Sequence, residues 1–180
     1  TPVFEWTFDY DQAGTYSATT FTVTDADGAT DTETITITVT NTNRSPALGS
    51  VGDQTVAEGS ALTLTLSASD PDGDALTYTG VIDPSVSGPG LRKTDGFFEW
   101  TPAFDQAGTY QVTFTVSDAD GATDTETITI TVTNTNRSPT LGSVGNQTVA
   151  EGEALSLTLS ASDPDGDALV YYGRGVTGGL

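Results

Sequence analysis

Cysteine, methionine and histidine are absent from this 180-residue sequence, and lysine and arginine together number 5. Without cysteine there is no disulfide and no thiolate; without histidine there is no imidazole for acid-base work, and zinc finds neither sulfur nor nitrogen. No nucleophilic triad can be assembled from what remains. Against so few cations stand 25 acids, a formal charge of -20. That balance argues against nucleic acid as a partner, because phosphates need Lys and Arg. It suits a soluble surface that attracts cations. Nowhere does an apolar run approach the roughly 20 residues of a membrane span, so no membrane insertion is expected, and no signal-peptide pattern opens the chain. The missing initiator Met points to a mature or excised portion of an exported, extracellular or cell-surface protein.

What is present is a repeat. Trp100-Thr-Pro-Ala-Phe-Asp-Gln-Ala-Gly-Thr-Tyr110 echoes Trp6-Thr-Phe-Asp-Tyr-Asp-Gln-Ala-Gly-Thr-Tyr16 at an offset of 94 residues, and from Phe21 onward the offset is 93. A unit of that size matches an immunoglobulin-type sandwich of about 100 residues. In the second copy Tyr110, Val112, Phe114 and Val116 alternate with Gln111, Thr113 and Thr115, the period of a half-buried strand. The first copy has one extra residue, which a β-bulge around Thr19 and Thr20 would absorb. Asp25-Ala-Asp-Gly28 reads as the hairpin turn that follows. Ile35, Ile37 and Val39 then point inward against outward Thr34, Thr36 and Thr38.

Further along, Phe4 and Trp6 read as a short strand, as do Leu62 to Leu66 and Leu76 to Thr79. Val81 to Gly96 reads as an exposed loop, rich in Gly and Pro. Asn41 to Pro46 and Asn134 to Pro139 are linkers, each closed by a proline that cannot continue a ladder. After the second linker the chain restarts with Val149-Ala-Glu151, Leu155, Leu157, Leu159 and Asp163-Pro-Asp-Gly-Asp167. The expectation is therefore all-β: one complete Greek-key sandwich at 44–136, flanked by the C-terminal half of another at 1–43 and the N-terminal half of a third at 137–180. Only the loop Gly88 to Thr94 has no counterpart in the flanking pieces.

These residues resemble a cadherin-like repeat of bacterial and archaeal surface proteins and adhesins. Ser67-Ala-Ser-Asp-Pro-Asp-Gly-Asp-Ala-Leu-Thr-Tyr78 resembles that family's Asp-x-Asp calcium loop, and Val56-Ala-Glu58 its early glutamate motif. Phe104-Asp-Gln-Ala107 is similar to its Leu-Asp-Arg-Glu motif with the aspartate kept, and Asn134-Thr-Asn-Arg-Ser-Pro139 stands at its linker. The resemblance implies calcium at each junction. One set would be Glu58, Asp105, Asn136, Asp163 and Asp165. The other would be Asp11, Asn43, Asp70 and Asp72, its glutamate supplied by Glu151 of a neighbouring chain. Oxygen donors from both sides of a linker suit Ca²⁺, which takes about 6 to 8 of them. Arg44 and Arg137 stand where the family carries an acid. An arginine forms bidentate bonds with carboxylates, so an Arg bridge in place of the cation is the second reading. Asp-Pro-Asp-Gly is also ordinary turn chemistry.

Other motifs carry less. Asp118-Ala-Asp-Gly-Ala-Thr-Asp124 starts like an EF-hand loop but has no Glu at loop position 12 and no flanking helices, so it reads as a hairpin. Asn43-Arg-Ser45, Asn136-Arg-Ser138 and Asn146-Gln-Thr148 are sequons. Trp6 and Trp100 read as core rather than as sugar platforms. The expectation is a non-enzymatic extracellular module that forms a rod or filament by head-to-tail completion of split sandwiches, its partners being other copies of itself or adjacent repeats. The alternative is a carbohydrate-binding or adhesin module of a longer exported protein, with cell-surface glycans as partners.

Overall fold

A strand forms where its ladder partner lies in the same stretch of chain, and that one condition orders the molecule. In the computed structural model, which describes residues 2–175, no helix forms among the described residues. The opening stretch folds as a hairpin of β1 (Gly14–Thr24) and β2 (Thr30–Val39). The central stretch supplies β3 (Ala47–Leu48), β4 (Gln54–Ala57), β5 (Leu62–Thr65), β6 (Ala68–Ser69), β7 (Thr77–Asp83), β8 (Gly90–Leu91), β9 (Phe97–Trp100), β10 (Gly108–Ser117) and β11 (Thr123–Thr133). Beyond it lie the two short strands β12 (Thr140–Leu141) and β13 (Ala161–Ser162).

Two sheets face each other in the central unit, one ordered β4-β11-β10-β7 and the other β5-β9-β8, with β3 paired to β6. All these pairings are antiparallel except that of β4 with β11, which is parallel and runs Gln54↔Ile130 to Ala57↔Thr133. Alternation along β10 puts Tyr110, Val112, Phe114 and Val116 between the sheets, where Ile128, Ile130 and Val132 from β11 join them. The opposite sheet contributes Leu62, Phe98 and Trp100. Trp100 meets Tyr110 edge-on at 4.9 Å between ring centroids, and Phe98 meets Phe114 at 5.4 Å. T-shaped pairs align the positive edge of one ring with the negative face of the other. On the outside Thr113 and Thr127 bond across strands at 2.8 Å, the role expected for threonine on a wet sheet face.

The opening hairpin repeats the register of β10 and β11 residue for residue except at Ala18. The bulge lies between Ser17 and Thr19, one residue before the Thr19-Thr20 position expected, so Thr19 takes the inward place that Val112 has in the central unit. Its aromatic pairs are kept too. Trp6 meets Tyr16 at 5.0 Å and Phe4 meets Phe21 at 5.1 Å, matching the pairs of Trp100 and Phe98. Yet Trp6 is 40% exposed where Trp100 is fully buried.

Three strand expectations need correction. Residues 3–6 form no strand, although the equivalent β9 does, because the equivalent of its partner β5 is not in the opening stretch. For the same reason Leu155, Leu157 and Leu159, and the stretch Leu169 to Tyr172 that follows them, lie in no strand. Leu159 is 40% exposed against 3% for its equivalent Leu66. The loop expected over 81–96 is in part strand, since β7 runs on to Asp83 against β10 and β8 pairs with β9.

Candidate junction sites

The linker before the central unit brings together a backbone turn and three carboxylates. In Asp70-Pro-Asp-Gly-Asp74 the Asp70 Oδ1 accepts the amides of Asp72 at 2.8 Å and Asp74 at 3.2 Å, which closes the turn on its own carboxylate. Gly73, at φ +80°, provides the left-handed residue that this turn requires. The β10–β11 hairpin packs beside it and presents Asp118, whose Oδ1 accepts the Ala122 amide at 2.8 Å and whose Oδ2 accepts Asn43 Nδ2 at 2.8 Å. Carboxylate oxygens of Asp70, Asp74 and Asp118 lie within 4.8 Å of one another. Oxygens around one Ca²⁺, at about 2.4 Å from it, can be at most about 4.8 Å apart, so this spread is what a single ion accepts. Asp70 Oδ2 and Asn43 Oδ1 are both buried without a hydrogen-bond partner. Three carboxylates, one of them with an orphaned oxygen, and the orphaned amide oxygen of Asn43 make a donor set of oxygen alone, which suits a hard cation.

Burial, followed by the charges of Asp70, Asp120, Asp118 and Asp72, raises the Asp74 pKa above its ordinary 3.8. Asp118 is lowered, first by the hydrogen bond from Asn43.

Asp72 faces the other way, toward Arg44. The Arg44 amide donates to Asp72 Oδ2 at 2.6 Å, its Nε and Nη2 donate to Oδ1 at 2.8 and 2.7 Å, and Nη2 also reaches the Pro71 carbonyl at 2.6 Å. The guanidinium lies over the Tyr10 ring at 5.0 Å. These contacts hold the Asp72 pKa below its ordinary value. Asp11 lines the same hollow of about 270 Å³ with Tyr10, Arg44, Asp72 and Asp74.

The second linker repeats the arrangement. Arg137 donates from its amide to Asp165 Oδ2 at 2.6 Å and from Nε to Oδ1 at 2.8 Å, and its guanidinium lies over Phe104 at 4.6 Å. Asp163 closes its turn on the Asp165 and Asp167 amides. Asn136, the equivalent of Asn43, is exposed.

Glu58, 3% exposed, is held by backbone amides: Gln106 and Ala107 donate to Oε1 at 3.0 and 2.7 Å, and Thr135 to Oε2 at 3.0 Å. It ties the start of the sandwich to the β9–β10 turn and to the outgoing linker. Asp105 and Glu151 are exposed. Sequence reasoning placed Asp70 and Asn43 at a junction but missed Asp74 and Asp118. The signal for Asp118 was its place immediately after the β10 run, where the hairpin reading absorbed it.

Residues 43–131 match the family described as bacterial Ig domain. Chitinase A of Pseudoalteromonas piscicida is 31% identical over 129 residues, 71% of this chain, and the chain spans 16% of the length of that protein. Among solved structures, the extracellular cadherin domains 1–5 of protocadherin gamma B2 cover 73% of this chain at 18% identity, with a TM-score of 0.53 over 28% of that chain. Protocadherin gammaB7 EC3–6, solved as a cis-dimer, covers 81% at 19% identity, with a TM-score of 0.52 over 39% of its own length. The likeness to the protocadherins is one of fold.

Proposed function

We propose that this chain, whose residues 43–131 form an immunoglobulin-like repeat of the bacterial Ig domain family, is a non-catalytic extracellular structural module that builds a rod head to tail. The observation carrying this is the contrast between equivalent residues. Phe4, Trp6 and Phe21 of the opening stretch and Leu155 and Leu159 after the second linker are exposed, while their equivalents Phe98, Trp100, Phe114, Leu62 and Leu66 in the central unit are buried in one core. Two- and three-stranded fragments with open apolar faces are marginal in water, so such faces call for covering. A head-to-tail contact is heterologous and gives open filaments when its rotation does not close. At each linker an arginine clamps an aspartate of the following turn. Calcium at Asn43, Asp70, Asp74 and Asp118 would add a second tie across the first linker, binding only when linker and hairpin are both in place. Electron microscopy and light scattering of the purified chain, with calcium and with chelator, test the reading. Fibres or growing mass support it, and a monodisperse monomer at micromolar concentration in both conditions rejects it.

A second reading rests on the match to Chitinase A: a module of a longer exported enzyme that holds it on a polysaccharide. Retention on insoluble chitin would favour it, and elution with the void would count against it.

A further inference from the structure

We propose that Glu151 and Gly152 of one copy enter a cavity on the opening hairpin of a second copy, and that residues 139–172 then pair with residues 3–42 of that copy in the register of the central unit. The proposal rests on the head-to-tail reading and adds to it the contact surface, the residue at its centre and the strand register.

The cavity is about 340 Å³ and is lined by Phe8, Tyr10, Ala13, Val39, Thr40 and Thr42 among others. Their equivalents in the central unit are Pro102, Phe104, Ala107, Val132, Thr133 and Thr135, and these surround one turn, Glu58-Gly59. Glu58 N donates to the Thr133 carbonyl at 3.0 Å and Gly59 N to the Pro102 carbonyl at 2.8 Å. The amides of Ala107 and Thr135 donate to the Glu58 carboxylate. Phe104 closes on Gly59 so tightly that a Cβ there would stand 2.8 Å from the ring. The hollow on the hairpin is thus the mould of this turn with the turn absent. Another copy of the turn exists in the chain as Glu151-Gly152. Its glycine already holds φ +85°, against +74° at Gly59, and its glutamate is exposed.

Two further hollows fit the same docking. One of about 290 Å³ is lined by Val23, Asp25 and Asp31, and in the central unit the equivalent Asp124 accepts the Leu48 amide at 2.8 Å. Leu141 is the equivalent donor. The third, about 190 Å³, lies on the donor side among Leu141, Leu159, Leu169 and Tyr171. Its central equivalents include Tyr78, which pairs with Val116, so Val23 of the second copy would face Tyr171. Glu126, which accepts from Ser50 at 2.9 Å and Val51 at 2.9 Å, has Glu33 as its equivalent, ready for Ser143 and Val144. Cavities of the acceptor and leucines of the donor are complementary in shape and chemistry because one sequence pattern encodes both.

The register follows from β5 and β9. Thr63 opposes Glu99, so Ser156 of one copy opposes Glu5 of the next, both on the outer face. The native chain has no cysteine, and an E5C/S156C double variant therefore reports this pair alone. On mild oxidation it should give a ladder of linked chains on a non-reducing gel, collapsed by reductant. A T7C/T158C control, displaced by four residues or about 13 Å along the strand, should not. Glu151→Ala should weaken assembly measured by light scattering at least about tenfold, by leaving buried amides without an acceptor, while the melting of the central unit stays unchanged. If native mass grows but E5C/S156C does not link, the register fails and the head-to-tail reading stands. If the native chain stays monomeric, both fail. A disulfide confined to the monomer band overturns the second copy as occupant.

Discussion

Arg44 grips Asp72 with backbone and side chain at once: its amide takes Oδ2 at 2.6 Å while Nε and Nη2 take Oδ1 at 2.8 and 2.7 Å. A monovalent cation fixed to the linker thereby neutralises Asp72, one of the three aspartates on which the resemblance would place calcium at this junction. Arg137 and Asp165 repeat the grip with nearly identical distances. The sequence left calcium and an Arg bridge as alternatives. The structure pairs Asp72 with arginine and brings oxygens of Asp70, Asp74 and Asp118 within 4.8 Å of one another, so the arginine takes one carboxylate of the junction and the proposed calcium group is the other three.

Arg44→Ala should increase amide exchange across Asn41 to Pro46 and in the Asp70 to Asp74 turn, and should do so more strongly in chelator than in calcium, where the proposed second tie across the linker remains. Arg44→Lys should recover little of the protection, since an ammonium cannot supply the planar fork. Hydrogen exchange read by mass spectrometry checks both. Protection unchanged in the alanine variant would mean that the clamp does not hold the linker.

Calcium should bind the first junction once per chain, and Asp118→Asn should lower its affinity at least about tenfold, because affinity in such sites follows the number of charged oxygens. Asp11→Asn should leave it nearly unchanged, since Asp11 is not among the three aspartates whose oxygens lie within 4.8 Å of one another. Titration calorimetry in calcium-free buffer gives both values. Equal losses in the two variants would place the ion elsewhere.

Acid should act on this junction in two stages with opposite signs. Asp72, Asp118 and Asp165 have folded pKa values below the ordinary 3.8, so their contribution is present above that value and is lost as pH falls through the lower folded one. Asp74 is raised, so its proton is held more tightly in the folded protein and its protonation favours folding as pH falls. Calcium, which needs the Asp74 carboxylate charged, should leave before the arginine clamps fail. Melting curves from about pH 6 to 3, with and without calcium, should converge at a higher pH than that at which both collapse. Divergence persisting to the acid end would contradict the assignment of Asp74.

Glu58→Ala should lower the stability of the central unit by roughly 3 kcal/mol, on the order of 15 °C in melting temperature for a domain of this size, because three amides lose a buried acceptor. Glu58→Gln should fall between, since its amide group can still accept from Gln106 and Ala107 but presents a donor to Thr135. A loss below about 0.5 kcal/mol for alanine, the level of an ordinary surface change, would show that the three bonds are replaced by water.

Much of the sandwich was legible in the sequence because alternation is a local property. Tyr110 to Val116 and Ile128 to Val132 announce their inward faces with no knowledge of what covers them. Strand existence is not local. Val3 to Trp6 and Leu155 to Thr158 carry the same pattern as β9 and β5, yet neither forms a strand, because a ladder needs a partner beside it and the matching segment of each lies at the other end of the chain. The bulge was placed one residue late for a related reason: side-chain phase marks the interval in which a register shifts, and only the cross-strand bonds show that Ala18 is the extra residue. The carboxylate pocket was half legible. Asp70 stands in a motif, whereas Asp118 joins it through the β7–β10 pairing, a contact 48 residues away in sequence that no motif records.

Equivalent tryptophans separate local from assembled stability. Trp100 is fully buried against Tyr110, so Trp100→Ala should cost roughly 3–5 kcal/mol and unfold the central unit or nearly so. Trp6 holds the same edge-on contact with Tyr16 but is 40% exposed, and Trp6→Ala should leave the melting of dilute, monomeric chain almost unmoved. At concentrations where native chains associate, the same change should appear as a loss of assembly, because Trp6 would then be enclosed as Trp100 is. Calorimetry across a dilution series distinguishes the cases. A Trp6 effect independent of concentration would mean that its ring is already covered within one chain.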